Sequence, residues 1–274
     1  MSYSNIVGKP NNPGLSYLRN FARYRSLCSN LVAADLRARF RRSHLGILWA
    51  MIQPLSFAIV LALVWGAVFE QNYLAFSVYV LSGIIVWEYF SNTILTAQDS
   101  LISAEGYLKQ ARIPLLVFQL RAPLAGLVTF FAGLVSLFVL QAALGKLPAI
   151  GWHLAQIPLF VILLLLFIMP VGIIFSILGT QLRDLRHVSL IAINALFFLS
   201  PIMLARDYLS SERLAFLQYA NPIIPLLDLF RAPVVEGVFW SQGQLIVVGI
   251  WTAALWSAAI ALSGFFGRRI VFAI

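Results

Sequence analysis

Charged side chains are scarce in this chain. Asp, Glu, Lys and Arg make up 11% of its 274 residues, against roughly 25% in a soluble domain. With 61% hydrophobic residues and a mean hydropathy of +0.90, such a chain cannot cover its own surface in water, which excludes a soluble globule. Cysteine is nearly absent: Cys28 stands alone, so no intrachain disulfide can form. The three histidines, His44, His153 and His187, fall in separate loops with no carboxylate or cysteine at metal-ligand spacing. No G-x-x-x-x-G-K-[ST] run exists to cradle nucleotide phosphates, and no G-x-S-x-G elbow to present a nucleophile. Glu88, Asp228 and Glu236 are the carboxylates that a membrane-embedded transferase would have to use. Nothing supplies them with a matching base and acceptor site, so an enzyme is not the favoured reading.

Apolar runs separated by basic loops are abundant instead. Crossing a bilayer takes about 20 apolar residues. Residues 48–69, 74–95, 115–144, 154–179, 188–204 and 244–267 read as six spans, the fifth rather short and the fourth interrupted by Pro158 and Pro170. Residues 1–46 are polar and basic, without an apolar core followed by a cleavage site, so the first span is expected to act as its own insertion signal. Of the nineteen lysines and arginines, fifteen lie before the first span, around residues 109–121 and 183–186, or in the tail. Only Lys146, Arg206, Arg213 and Arg231 fall on the other side. Basic residues hold loops in the cytoplasm, so both termini are expected there, which yields an N-terminal segment 1–46 and a transmembrane domain 47–274.

Three stretches outside the spans carry candidate function. Residues 16–42 show an amphipathic helical pattern: Tyr24, Cys28 and Val32 share one face, while Arg19, Arg23, Arg37 and Arg41 share the other. Arg39 and Arg42 break that pattern, and a bend is expected near residues 26–30. A basic amphipathic helix entering a span suits the membrane interface, where anionic lipids attract it. Residues 99–113, DSLISAEGYLKQARI, read as a short helix capped by Asp99 or Ser100, with Leu101, Ile102, Glu105 and Leu108 along one side and Pro114 as its stop. Within residues 205–242, Asn221-Pro222 ends one short helix and Pro225 starts another; both are too short to span. Glu88 lies inside the second span, either as a functional carboxylate or as the partner of Arg121 or Arg112. Trp65 and Phe69 stack on one face of the first span, and Phe197 and Phe198 sit mid-way along the fifth. These rings, with Glu88, are the candidates to line a path.

In this order, RARFRRSHLGILWAMIQPL (37–55), LSGIIVWEYF (81–90), LISAEGYLKQARIP (101–114), LRDLRHV (182–188) and NPIIPLLDLFR (221–231) resemble the ABC-2 type exporter permeases. Within that family the chain looks most like the membrane subunit of O-antigen and capsular polysaccharide exporters. It departs from them at Gln53, at Glu88 and at Gly106-Tyr107. The resemblance implies an all-α membrane protein of six transmembrane helices, with an N-terminal interface helix carrying Arg37, Arg39, Arg41 and Arg42. It also implies a cytoplasmic coupling helix at residues 100–112, with Ser100, Leu101, Glu105, Tyr107, Lys109 and Arg112 facing the ATPase, and two re-entrant outer helices within residues 205–240. The implied assembly is a homodimer in the bacterial inner membrane above two separate ATPase subunits, which would bind ATP and Mg, so this chain itself needs no cofactor. The implied substrate is a lipid-linked polysaccharide. An ABC-2 efflux permease for a drug or small lipid is the alternative, followed by a membrane enzyme or scaffold subunit.

Overall fold

A computed structural model describes residues 24–41, 43–68, 72–110, 113–148, 151–203 and 216–273. Every regular element among them is helical. Helix α1 (Arg25–Phe40) precedes α2 (Trp49–Val68), α3 (Tyr73–Ala97), the short α4 (Glu105–Gln110) and α5 (Leu115–Gln119), and α6 (Arg121–Ala143). Then come α7 (Gln156–Gln181), α8 (Leu185–Leu199), the short α9 (Leu217–Ala220), α10 (Ile223–Arg231) and α11 (Gln242–Ala273).

Among the described residues, five helical stretches are long and apolar enough to cross a membrane: Gly46–Val68, Tyr73–Ala97, Leu115–Ala143, Trp152–Gln181 and Gln242–Phe266. The fifth expected span is shorter than that. Helix α8 has 15 residues, about 22 Å at 1.5 Å per residue, against a hydrocarbon core of ~30 Å.

Helix α3 is the centre of the bundle, in contact with α2, α6, α7, α8 and α10. Its most apolar stretch is 72% buried, whereas those of α2 and α11 are 17% and 11% buried. The peripheral helices therefore offer most of their apolar surface to lipid or to another chain. Helix α2 shows how the sequence chooses: its buried residues Pro54, Ala58, Ala62 and Gly66 recur every four positions. Small side chains on one stripe let backbones approach, and Phe57, Val60, Leu63, Val64 and Val68 are left outside.

Prolines explain two further departures from the expected layout. The third span breaks at Leu120, between α5 and α6. Pro123 lacks an N–H for the Gln119 carbonyl and its ring crowds that oxygen. The fourth span, expected to be interrupted, is one continuous helix through Pro158 and Pro170. Pro158 occupies the first turn, where its missing N–H costs nothing. Pro170 frees the Leu166 carbonyl, and the Trp256 indole N–H of α11 donates to it at 2.9 Å. A neighbouring helix thus restores the bond that proline removed.

Among the described residues, two apolar clusters hold the bundle. The larger joins α3, α6, α7 and α10, with Phe160 and Phe230 rings 5.1 Å apart and Phe130 5.8 Å from Phe230. The smaller gathers Cys28 and Leu31 of α1 with Leu101, Ala104, Val117, Phe118, Ile173 and Ile177. It marks one end of the molecule, called the α1 end below.

Candidate functional site

At the α1 end, α1 is docked on the bundle as a straight element. The helix runs unbroken from Arg25 to Phe40, so the bend expected near residues 26–30 is absent; the face that decides its course is Cys28, Leu31 and Asp35, at i, i+3 and i+7. Asp35 receives two hydrogen bonds from Arg121 of α6, from Nε at 2.9 Å and Nη2 at 2.5 Å. Such a bidentate pair fixes orientation as well as distance. Arg121 is thereby committed to Asp35 and does not pair with Glu88. Burial pushes the Cys28 thiol up, opposed by the nearby Arg121 charge, so the lone cysteine is an inert packing residue. Arg37, Arg39 and Arg41 are exposed on or just beyond α1. Arg42 and residues 16–23 lie outside the described residues.

The α3–α5 connection is a 3-10 turn, Ile102–Ala104, continued by α4. That turn type settles which side chains face inward. With three residues per turn, i and i+3 eclipse, so Leu101 and Ala104 are both buried while Ile102 is 49% exposed. The expectation that Ile102 shares the Leu101 side assumed α-helical spacing throughout. The expected cap is also absent: Ser100 Oγ donates to the Ala97 carbonyl at 2.7 Å, and Asp99 accepts from Arg186 Nη1 at 2.8 Å. Ser100 is buried, Glu105 half-buried, and Tyr107 and Lys109 exposed. Lys109 pairs with Glu105 one turn back, and the Tyr107 ring lies 6.0 Å from Phe118. Arg112 lies outside the described residues.

This connection is anchored to the α7–α8 turn. Gln98 Nε2 donates to Ser189 Oγ of α8 at 2.8 Å. Gly179 of α7 lies so close to the Gln98 carbonyl that any Cβ there would collide with backbone. Between the two connections is a cleft of about 430 Å³, lined among others by Ile102, Glu105, Arg183 and Arg186. Of the sequence candidates in 100–109, Glu105 alone lines this cleft, opposite Leu182, Arg183, Leu185 and Arg186 of the QLRDLRH stretch. The exposed Asp99–Arg186 pair contributes at most about 1 kcal/mol; the rigid link is the close Gly179–Gln98 crossing.

The far end holds a residue that sequence reasoning misplaced. Arg231, counted among loop charges, is 2% exposed. Its Nε donates to Ser82 Oγ at 3.1 Å, Nη1 to the Pro201 carbonyl at 2.8 Å and Nη2 to the Tyr79 carbonyl at 3.3 Å. Its guanidinium lies over the Tyr79 ring, 3.6 Å from the centroid. A Cβ at Gly83 would fall 2.7 Å from Nη2, so only glycine leaves room for this group. One side chain thus ties α10, α3 and the end of α8 together. Asn221 adds a second tie, with Oδ1 accepting from Ile223 N at 3.0 Å and Nδ2 donating to Ser200 Oγ at 2.9 Å. The signal for both was an arginine and an asparagine closing an otherwise apolar run. Helices α9 and α10 fall where two short elements were expected, and α10 is buried inside the bundle.

The path candidates among the described residues are spread over α2, α3 and α8. Trp65 is half-buried on α2 and Glu88 half-buried on α3. Phe197 is half-buried and packs edge-on against Trp87 of α3, 5.4 Å between centroids, so it holds α8 to α3. Phe198 is 68% exposed and points away from the bundle. Phe69 lies outside the described residues.

The family model described as ABC-2 type transporter matches residues 26–235. The chain is 27% identical over 258 residues to the O-antigen export system permease protein RfbA of Myxococcus xanthus, covering 93% of this chain and 97% of that protein. A Klebsiella pneumoniae protein of the same name is 27% identical over 197 residues, 72% of this chain and 75% of its own length. The polysialic acid transport protein KpsM of Escherichia coli is 23% identical over 235 residues, 85% of this chain and 90% of its own length.

Proposed function

Because the chain belongs to the ABC-2 type transporter family, we propose that it is the permease subunit of an ATP-driven exporter that moves lipid-linked polysaccharide across the bacterial inner membrane. The observation that carries this reading is similarity over almost the whole chain to a protein named for O-antigen export, on a multi-pass helical bundle. ATP and Mg then belong to two copies of a separate ATPase subunit. The basic α1 end faces the cytoplasm, in keeping with its arginines. Residues 1–46 form the cytoplasmic segment and 47–274 the transmembrane domain. Helix α8 with the Ser200–Met203 turn makes the fifth crossing, and α9 and α10 re-enter from the outer side. Two copies pair through the apolar faces that α2 and α8 leave open, and the substrate passes between them, along Trp65, Phe69 and Phe198.

Segment 100–112 is where ATPase motion enters. Leu101 and Ala104 seat it in the smaller apolar cluster, and Gln98, Asp99 and Gly179 tie it to α7 and α8. A packed element moves as a unit rather than deforming, so a push on Tyr107 and Lys109 reaches α8. Affinity purification of the membrane-solubilised chain tests the assembly. An ATP-binding cassette ATPase encoded beside it should copurify, with ATP turnover that rises when the cell's own lipid-linked glycan is added. Purification without any ATPase would contradict the reading.

A further inference from the structure

The inner half of α3 carries polar groups in a place where a membrane span should have none. At 100° per residue, α3 turns three different faces to its surroundings. Trp87, Ile94 and Gln98 point to α8, where Phe197 and Ser189 meet them. Tyr89 points to α6, donating to the Pro123 carbonyl at 2.9 Å. Between these faces run Glu88, Ser91, Asn92 and Leu95, at i, i+3, i+4 and i+7, all half-buried. Further toward the α2 loop the same face, Ser77, Leu81 and Ile84, is fully buried. The bundle closes over this stripe at the far end and opens along it toward the α1 end, between α2 and α8.

Among the described residues, neither the Glu88 carboxylate nor the Asn92 amide has a hydrogen-bond or ion-pair partner within the chain. Ser91 Oγ donates only to the Glu88 carbonyl, at 3.4 Å. Glu88 lies nine residues from the end of α3, ~13 Å along the helix at 1.5 Å per residue, within the stretch apolar enough to cross a membrane. Polar groups there persist only where they face protein, water or a bound polar ligand. Packing does not explain them, because they remain partly open.

We propose that Glu88, Ser91 and Asn92 form an entry site that recognises the hydroxyl groups of sugar residues at the α1-end half of the groove between α2 and α8. A carboxylate accepts hydrogen bonds from two neighbouring hydroxyls, the amide donates and accepts, and the serine does either. That combination matches a pyranose edge, which presents donors and acceptors without net charge. Leu95, on the same stripe, offers an apolar contact for a ring face. The site rests on the reading of the chain as a polysaccharide permease and locates where the glycan first meets protein.

The test uses cells deleted for this chain and complemented with variants, reading surface polysaccharide, membrane-inserted protein and ATPase copurification. The deletion itself must abolish surface polysaccharide; if it does not, the permease reading fails before the site is tested. Glu88→Gln keeps hydrogen bonding to hydroxyls and should export within about twofold of wild type. Glu88→Leu and the double variant Ser91→Ala/Asn92→Ala should each cut export about tenfold, the loss of one good hydrogen bond or two weak ones, with protein level and ATPase binding unchanged. Where Glu88→Leu fails to accumulate, the double variant decides alone, because its smaller side chains give up only the long Ser91–Glu88 hydrogen bond within the helix. Full export in the double variant overturns the site. Equal loss in Glu88→Gln and Glu88→Leu also overturns it, since charge and not hydroxyl recognition would then be what matters.

Discussion

Arg231→Ala should unfold the detergent-solubilised protein at a midpoint about 6–12 °C below wild type. The substitution empties the volume of a large buried side chain and removes its hydrogen bonds to α3, at Ser82 Oγ and the Tyr79 carbonyl, and to the Pro201 carbonyl beyond α8. Large-to-small changes in a core cost about 2–5 kcal/mol. The lost hydrogen bonds cost a further ~0.5–1.5 kcal/mol each, partly offset because an arginine no longer has to be buried. A net loss near 3 kcal/mol, at ~2–4 °C per kcal/mol for a chain of this size, gives the stated shift. Arg231→Met restores volume without hydrogen bonds and should fall between the two. A midpoint for Arg231→Ala within about 2 °C of wild type would show that the guanidinium is not what holds α10 to α3.

The second large effect concerns the exposed side of segment 100–112. Ile102 is 49% exposed and Tyr107 50% exposed, though the segment's inner side is firmly packed. Large apolar and aromatic side chains left open on a rigid support are typical anchors of an interface. The double variant Ile102→Ser/Tyr107→Ser should weaken ATPase binding by about 100-fold, at ~1.4 kcal/mol per factor of ten. Membrane insertion should be unaffected, because Leu101 and Ala104 remain in the apolar cluster. Binding measured with the purified ATPase at wild-type affinity would place the coupling contact elsewhere. Lys109→Glu, which breaks the pair with Glu105 on an exposed surface, should change binding far less.

Much of the architecture could be read from the chain because it rests on local properties. Five spans follow from hydropathy, and the breaks around α10 follow from Asn221-Pro222. What escaped depends on partners distant in sequence. Asp99 read as a helix cap because serine and aspartate usually cap; its partner is Arg186, 87 residues on. Pro170 read as an interruption because Trp256 cannot be placed against Leu166 without the fold. Arg231 read as a loop charge because arginine in a membrane protein normally marks a loop, whereas here main-chain carbonyls and an aromatic face replace water. The Ile102 orientation failed for a local reason: a 3-10 turn and an α-helical turn of the same residues point different side chains inward. Among the site residues, the grouping of 100–109 was legible as one segment. The stripe of Ser91 and Asn92 was not, because only the packing of α2 and α8 shows which face of α3 stays open.

Export itself is the most direct measurement. In cells lacking this chain but retaining the glycan-assembling enzymes, lipid-linked polysaccharide should accumulate on the cytoplasmic side, with none at the surface, and the intact chain should restore surface display. Normal surface polysaccharide in the deletion strain, with no internal accumulation, would contradict the account.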